Sequence, residues 1–418
     1  MRIVLLISLS FSLQIVAQTA RVIKFTEQLC SPEFHGRGYV NNGDSIAANY
    51  IAKTFQEIGL KALNGTYFQS FSFPVNTFPN KMEIIIGDKK LTPGVDFIVD
   101  PSSGKGKGTM DFQTLGIDEL YTGNFNLLKI DNKKMFYFSN VNYKGDTIKK
   151  VKENLVKIAK YAPVIEVVNT KFTWSVSGKV YNFPFIQVQE SVFNNSFQAN
   201  SSVIYSIDAQ IKNHTARNVI GYLPATKKTK KTIMITAHYD HLGRMGAATY
   251  FPGANDNASG NGMLISLAEK LKTKRLKNYN LLFVAFAGEE IGLLGSMYMA
   301  ANPIIDLKSV QFLLNLDIMG SGEEGITVVN ATLFPEEFTS LERINKDKNY
   351  LAQIKKRGPA ANSDHYFFTQ AGVPAFYIYT MGPNKHYHDI YDTYYELSFS
   401  AFGNLSNLLE EFLRNFKQ

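Results

Sequence analysis

The stretch TIMITAHYDHLG, residues 232–243, runs as an apolar strand and then delivers His238, Asp240 and His241. A buried strand has no structural need to end in groups that titrate or bind metal. Four further segments repeat the pattern. LLFVAFA is followed by Gly288-Glu289-Glu290, FLLNL by Asp317, and AFYIYT by a loop with His386, Tyr387 and His388. The loop GANDNASG holds Asp256 just before a helical stretch near Asn261. In an open α/β sheet ligands bind beyond the carboxyl ends of the strands, so these segments converge on one rim. Two His, two Asp and one Glu suit Zn2+ or a similar divalent ion. Five ligands that share one carboxylate serve two ions about 3.5–4 Å apart. Asp256 is the candidate bridge: its carboxylate has two acceptor oxygens, and flanking glycines allow close backbone approach. Taken singly, each residue has an ordinary explanation. Asp256 could cap a turn or helix, and Glu289-Glu290 could answer a helix dipole. Their joint placement at strand ends is what points to chemistry.

The elements that must position these residues lie mostly in 206–418. Strands are expected at Asn218–Tyr222, Thr232–Ala237, Asn280–Phe286, Val310–Leu316, Ile326–Val329 and Ala375–Tyr379. Helices are expected at Asn261–Lys272, Gly292–Ala301, Asp364–Ala371 and Ser398–Phe416. Alternation of the two, with nearly continuous apolar strands, predicts an α/β sandwich around a mainly parallel sheet. Residues 21–78 form an N-terminal part of the same domain, with a helix over Gly43–Leu60. There Ile46, Ala47, Tyr50, Ile51, Phe55 and Ile58 recur at helical spacing. Residues 79–205 read as an α+β insert that shapes a substrate cleft. It has short strands at Met82–Ile86, Lys134–Phe138 and Tyr181–Val188 and an amphipathic helix at Thr147–Tyr161. The insert shows no clustered chemistry, and its tryptophan, Trp174, reads as a core or domain-contact residue.

Composition bounds the rest. The chain has 418 residues, 45% hydrophobic and 13% aromatic, which supports a large core and argues against disorder. The net charge of +8 comes from scattered lysines, without the basic stripe interleaved with aromatics that marks a nucleic-acid binder. Met1-Arg2, the apolar run Ile3–Val16 and the small or polar Ala17–Ala20 read as a secretory signal over 1–20. That run is too short to span a bilayer, and no later run reaches the length. Export to the periplasm or the medium is expected. Cys30 is the single cysteine, so no intramolecular disulfide forms, and no lipobox cysteine follows the signal.

Six stretches occur in order: TAHYDHLG, PGANDNASG, FAGEEIGLLGS, LNLDIMG, SDHYFFTQAGVPAF and YHDIYDT. Together they resemble the secreted zinc aminopeptidases with co-catalytic metals, a family that includes aminopeptidase Y, glutamate carboxypeptidase and glutaminyl cyclase relatives. The amino-terminal HGRGYVNNGDSIAANYIAKTFQEIGL is similar to that family's opening helix region. The resemblance implies a three-layer α/β sandwich with a mostly parallel mixed sheet. It implies a pair of Zn2+ ions, the first held by His238 and Asp317, the second by Glu290 and His388, with Asp256 bridging. It further implies Glu289 as general base, Asp240 as the acid that supports His238, and Tyr387 as a donor to the oxyanion. His241 is left as a structural residue. Ser363-Asp364-His365 fits a helix N-cap as well as a role in the cleft.

The implied activity is an exopeptidase that removes N-terminal residues from peptides by attack of metal-activated water. The alternatives are a glutaminyl-peptide cyclotransferase, which uses one zinc at the positions matching Asp256, Glu290 and His388, and a carboxypeptidase on the same scaffold. A non-catalytic binding protein would be expected to have lost ligands, and none is missing. A serine hydrolase is disfavoured because no Gly-x-Ser-x-Gly elbow is present.

Overall fold

Strands that are apolar along their whole length are stable only when both faces are covered. The computed structural model, which describes residues 21–125, 130, 132–198 and 201–417, shows such strands at its centre. The expected signal segment lies outside the described residues. The first sheet contains β1 (Phe68–Thr77), β2 (Gln210–Leu223), β3 (Thr232–His238), β4 (Asn280–Phe286), β5 (Val310–Asp317), β6 (Ile326–Val329), β7 (Ile354–Lys356) and β8 (Ala375–Thr380). Their spatial order is β1-β2-β4-β3-β5-β8-β6-β7. The run β4-β3-β5-β8 is parallel, as is β6 with β7, while β1/β2, β2/β4 and β6/β8 are antiparallel. Every residue of β3, β4 and β6 is buried.

The helices that flank this sheet include, in chain order, α1 (Gly43–Ile58), α2 (Gly260–Thr273), α3 (Leu294–Ala301), α4 (Pro335–Lys348), α5 (His365–Gln370) and α6 (Phe402–Arg414). Because side chains alternate across a strand, each strand feeds two cores. Ile233, Ile235, Phe283 and Leu314 pack with Phe55 of α1, Leu267 of α2, Leu341 of α4 and Leu409 of α6. Met234, Leu282, Val284 and Leu313 pack with Met299 of α3 and Phe368 of α5 on the other face. The result is a three-layer α/β sandwich with a mixed, mostly parallel sheet.

Some elements depart from the sequence expectation for local reasons. Pro74, on the exposed face between buried Phe73 and Val75, argues against a strand and so hides β1; the strand tolerates Pro because it is a sheet edge. Pairing with β1 also extends β2 back to Gln210. The strand expected from Tyr181 starts only at Phe185, directly after Pro184, which has no N–H to give a ladder. Helix α4 is mostly polar, so its short apolar face of Phe338, Leu341 and Ile344 is easy to miss.

The insert hangs on the β1/β2 hairpin and forms a second eight-stranded sheet. Its strands run from Glu83–Ile86 to Ser202–Ile207 in sequence, and helix Asp146–Ile158 covers part of it. Insert and sandwich share apolar packing. Val99, Trp174 and Ile186 belong to one cluster with Leu242, Met245 and Phe251 of the loops after β3.

The N-terminal segment closes over the same loops. A Cβ on Gly36 would stand 2.5 Å from the carbonyl oxygens of Gly243 and Phe251, so only glycine permits the approach. The next residue, Arg37, is fully buried. It donates to the carbonyls of Tyr239 (2.7 Å), Leu29 (3.1 Å), Pro252 (2.7 Å), Gly253 (2.7 Å) and Asp256 (3.2 Å). A buried acceptor left without a donor costs about 1–3 kcal/mol. Arg37→Met is therefore expected to lose about 3 kcal/mol or more in denaturant unfolding followed by circular dichroism. Arg37→Lys should recover only part of it, since one ammonium cannot span the carbonyls that a planar guanidinium reaches.

Candidate metal centre

The loops beyond the carboxyl ends of the parallel strands bring five side chains to one point. His238 ends β3 and Asp317 ends β5. Glu290 follows β4, His388 lies in the loop after β8, and Asp256 sits in the turn before α2. His238 Nε2 is 3.3 Å from Asp256 Oδ1 and 3.4 Å from Asp317 Oδ1. His388 Nε2 is 3.1 Å from Asp256 Oδ2 and 3.1 Å from Glu290 Oε2. Asp256 thus turns one oxygen to each imidazole. Glu289 is part of the same cluster, with its carboxylate within 4.8 Å of ligand atoms of His238 and Asp317.

Surrounding residues hold these groups in place. His238 Nδ1 lies 3.1 Å from the main-chain carbonyl of Asp240, and a carbonyl only accepts, so Nδ1 carries the proton and Nε2 is free. The Asp240 carboxylate, expected to support His238, forms an ion pair with its Nδ1 at 3.9 Å, farther than the main-chain carbonyl, and also accepts from Glu289 N (3.1 Å), Glu290 N (3.4 Å) and the Tyr39 hydroxyl (3.0 Å). His241 is more than structural filler: its Nδ1 is 2.6 Å from Glu290 Oε1. The second histidine of HYDH was the signal for it. Asp392, within YHDIYDT, accepts from Asn255 N (2.9 Å) and Asp256 N (3.0 Å) and so holds the N–H groups of the turn whose carbonyls Arg37 holds. Asn261 Nδ2 donates to the carbonyls of His238 (2.6 Å) and Asn257 (2.8 Å) and ties α2 to β3. The Tyr377 hydroxyl lies 3.4 Å from Asp317 Oδ2, and its position in an apolar strand gave no hint of that.

Two histidine-loop residues stand apart. His386 faces Asp389, at 3.3 Å, and takes no part in the cluster. The Tyr387 ring stacks on His388, with centroids 3.9 Å apart, and is 47% exposed, so it lines the rim of the site.

The charge balance calls for cations at this point. Burial disfavours the charged form of His388, but Glu290 and Asp256 outweigh it and lift the imidazole to about 11. His238 is raised well above the usual imidazole range against the same penalty, by Glu289, Asp317 and Asp256. Burial pushes Glu290 up, yet His388 and the bond from His241 bring it down to about 2. Burial pushes Glu289 well above the ordinary carboxyl range, helped by Glu290, Asp364 and Asp317 and opposed by His238. Asp317 Oδ1 is buried without a hydrogen-bond donor. A divalent cation would satisfy that oxygen and relieve the repulsion among the carboxylates. Imidazole and carboxylate donors, with the rings fixed to present Nε2, fit zinc.

The profile of peptidase family M28 matches residues 218–413, the stretch that carries all of these side chains. An aminopeptidase of Bacillus subtilis, YwaD, is 32% identical over 171 residues, which cover 38% of this chain and 35% of that one. A probable lipoprotein aminopeptidase of Mycobacterium tuberculosis, LpqL, is 27% identical over 212 residues, 46% of this chain and 40% of that one. The chain thus spans well under half the length of these curated relatives. Among solved structures, a zinc aminopeptidase from Bacillus subtilis superposes with a TM-score of 0.68 at 18% identity, over 94% of each chain. An aminopeptidase from Aneurinibacillus does so with a TM-score of 0.61 at 21% identity, over 94% of this chain and 93% of that one. These two superpositions speak for the fold, insert included. Sequence match, fold and clustered donors agree: residues 218–413 match the model of peptidase family M28, and the chain has the fold of these two solved aminopeptidases.

Proposed function

We propose that this protein is an exported zinc aminopeptidase that binds a pair of zinc ions and hydrolyses the N-terminal peptide bond of peptides. The observation that carries the reading is the orientation of Asp256, one oxygen toward His238 and the other toward His388. In this reading His238 and Asp317 hold one ion, Glu290 and His388 hold the other, and Asp256 bridges. Export rests on the charged, then apolar, then small-residue pattern of 1–20. Among the described residues no helix is long and apolar enough to cross a membrane.

Bound zinc would supply Lewis acidity, making water acidic near neutral pH and polarising a peptide carbonyl. The chain's own residues do the rest. Glu289 takes the proton of the attacking water and returns it to the leaving amine. Burial raises its proton affinity and suits it to that exchange, whereas Glu290 is engaged by His241 and His388 and would serve as a ligand. The Asp240 carboxylate holds both glutamate N–H groups and so fixes where base and ligand stand. Tyr387, at the rim, is the candidate donor to the developing oxyanion.

Glu289→Gln keeps the shape of the residue and removes its basicity. The variant should bind zinc like wild type, by elemental analysis, and lose about 10^2–10^4-fold in kcat. Turnover near that of wild type would remove Glu289 from the base role. Substrate polarity is tested with matched peptides. Amino-acid release from an unblocked peptide should exceed release from its N-acetylated twin by about a hundredfold or more, because an amine-binding site rejects a substrate that leaves its acids unpaired. Equal rates on both would count against an aminopeptidase, and pyroglutamate formation with one zinc per chain would favour the cyclotransferase.

A further inference from the structure

Most of the cluster is braced from within the sandwich and its N-terminal segment. His238 leans on Asp240, Glu290 on His241, and the Asp256 turn on Arg37 and Asp392. His388 is braced by the insert. Its Nδ1 lies 2.9 Å from the main-chain carbonyl of Trp174, and the Trp174 N–H donates to the carbonyl of His388 at 2.9 Å. The carbonyl can only accept, so Nδ1 donates and Nε2, which faces Asp256 and Glu290, is the nitrogen left for a metal to take. His388 has φ 54°, a left-handed backbone that a non-glycine residue holds only when its surroundings over-determine it. The two-way bond with Trp174 supplies that constraint.

Trp174 is itself locked between the two parts of the molecule. Its indole Nε1 donates to Val99 O at 2.7 Å, inside the insert. Its ring stacks on Phe251 of the sandwich, with centroids 4.6 Å apart and planes at 18°. Three residues on, the Ser177 carbonyl accepts from Asn76 N of β1 at 2.8 Å. The segment cannot shift without moving either the insert or the His388 loop.

We propose that the insert is a working part of the metal centre: Trp174 is a positioning residue that orients His388 through its main-chain carbonyl. Seating of the insert and zinc binding on the His388–Glu290 side are therefore coupled. The inference rests on the zinc reading above. A partner that orients a ligating histidine is worth about 10–100-fold in metal affinity. Coupling of this kind is reciprocal, so zinc on that side must also tighten the seat of the insert.

The test uses the full chain, stripped of metal and titrated with zinc against a chromophoric chelator. Wild type should show two binding steps. Trp174→Ala should weaken one of them about 10–100-fold and leave the other nearly unchanged. Trp174→Phe, which keeps a ring for Phe251 and loses the Val99 bond, should fall between. Trp174 is the only tryptophan, so its emission reports the seat directly. Zinc binding at the step that His388→Ala removes should change the emission of wild type, and zinc should leave the emission of His388→Ala unchanged. Two unaltered steps in W174A overturn the coupling. Should W174A fail to fold, the emission decides: a zinc-dependent change that His388→Ala abolishes supports the coupling, and a constant signal overturns it. A wild-type chain that takes up no zinc overturns the zinc reading itself, a result distinct from a two-step wild type that W174A matches.

Discussion

One buried carboxylate, that of Asp256, has to serve two imidazoles that arrive on different loops. Taking such a group out of water costs several kcal/mol unless charges and hydrogen bonds replace the solvent. The fold answers by fixing the backbone of the turn as well as its side chain. Arg37 collects the carbonyls of Pro252, Gly253 and Asp256, and the Asp392 carboxylate collects the N–H groups of Asn255 and Asp256. The guanidinium is also a buried positive charge close to Asp256, Asp392 and Asp240. A segment near the start of the described chain and another near its end therefore hold the same turn, one through its carbonyls and the other through its N–H groups.

The adjacent glutamates show how environment divides labour between like residues. Glu290 meets two imidazoles, which hold it as an anion. Glu289, one residue earlier, has carboxylates for most of its charged neighbours and is held toward the protonated form. Neither difference lies in the residue type. Both follow from burial and from which charged groups each side chain meets, while Asp240 binds the two successive N–H groups of the loop that carries them.

The insert extends this logic beyond the sandwich. It grows from the two paired strands at one edge of the first sheet, yet it reaches the site at Trp174. Its packing with Leu242, Met245 and Phe251 continues the loops that follow β3 and precede Asp256. A bulky ring at the seam supplies apolar contact and a polar handle together, which suits a residue that must hold two bodies in one register.

The amino-acid sequence by itself determined the sandwich and the inventory of reactive side chains. Periodicity and strand apolarity are local properties, so β4 and β6 have the limits their sequences announce, and α1 and α2 nearly so. The five candidate donors were legible because four end or follow strands whose interior is apolar, and Asp256 stands in a glycine-flanked loop before α2. Edge strand β1 and polar helix α4 were not, since Pro74 argues against a strand and a thin apolar face blurs the helical period. Tertiary structure alone decided which atoms support which. That the Asp240 carboxylate serves the glutamate loop, that His241 steadies Glu290, and that Arg37 and Trp174 belong to the site depend on hydrogen bonds between residues as far as 219 positions apart. Spacing along the chain carries no record of such contacts, because they are fixed by the direction of a single N–H or carbonyl after the backbone has turned.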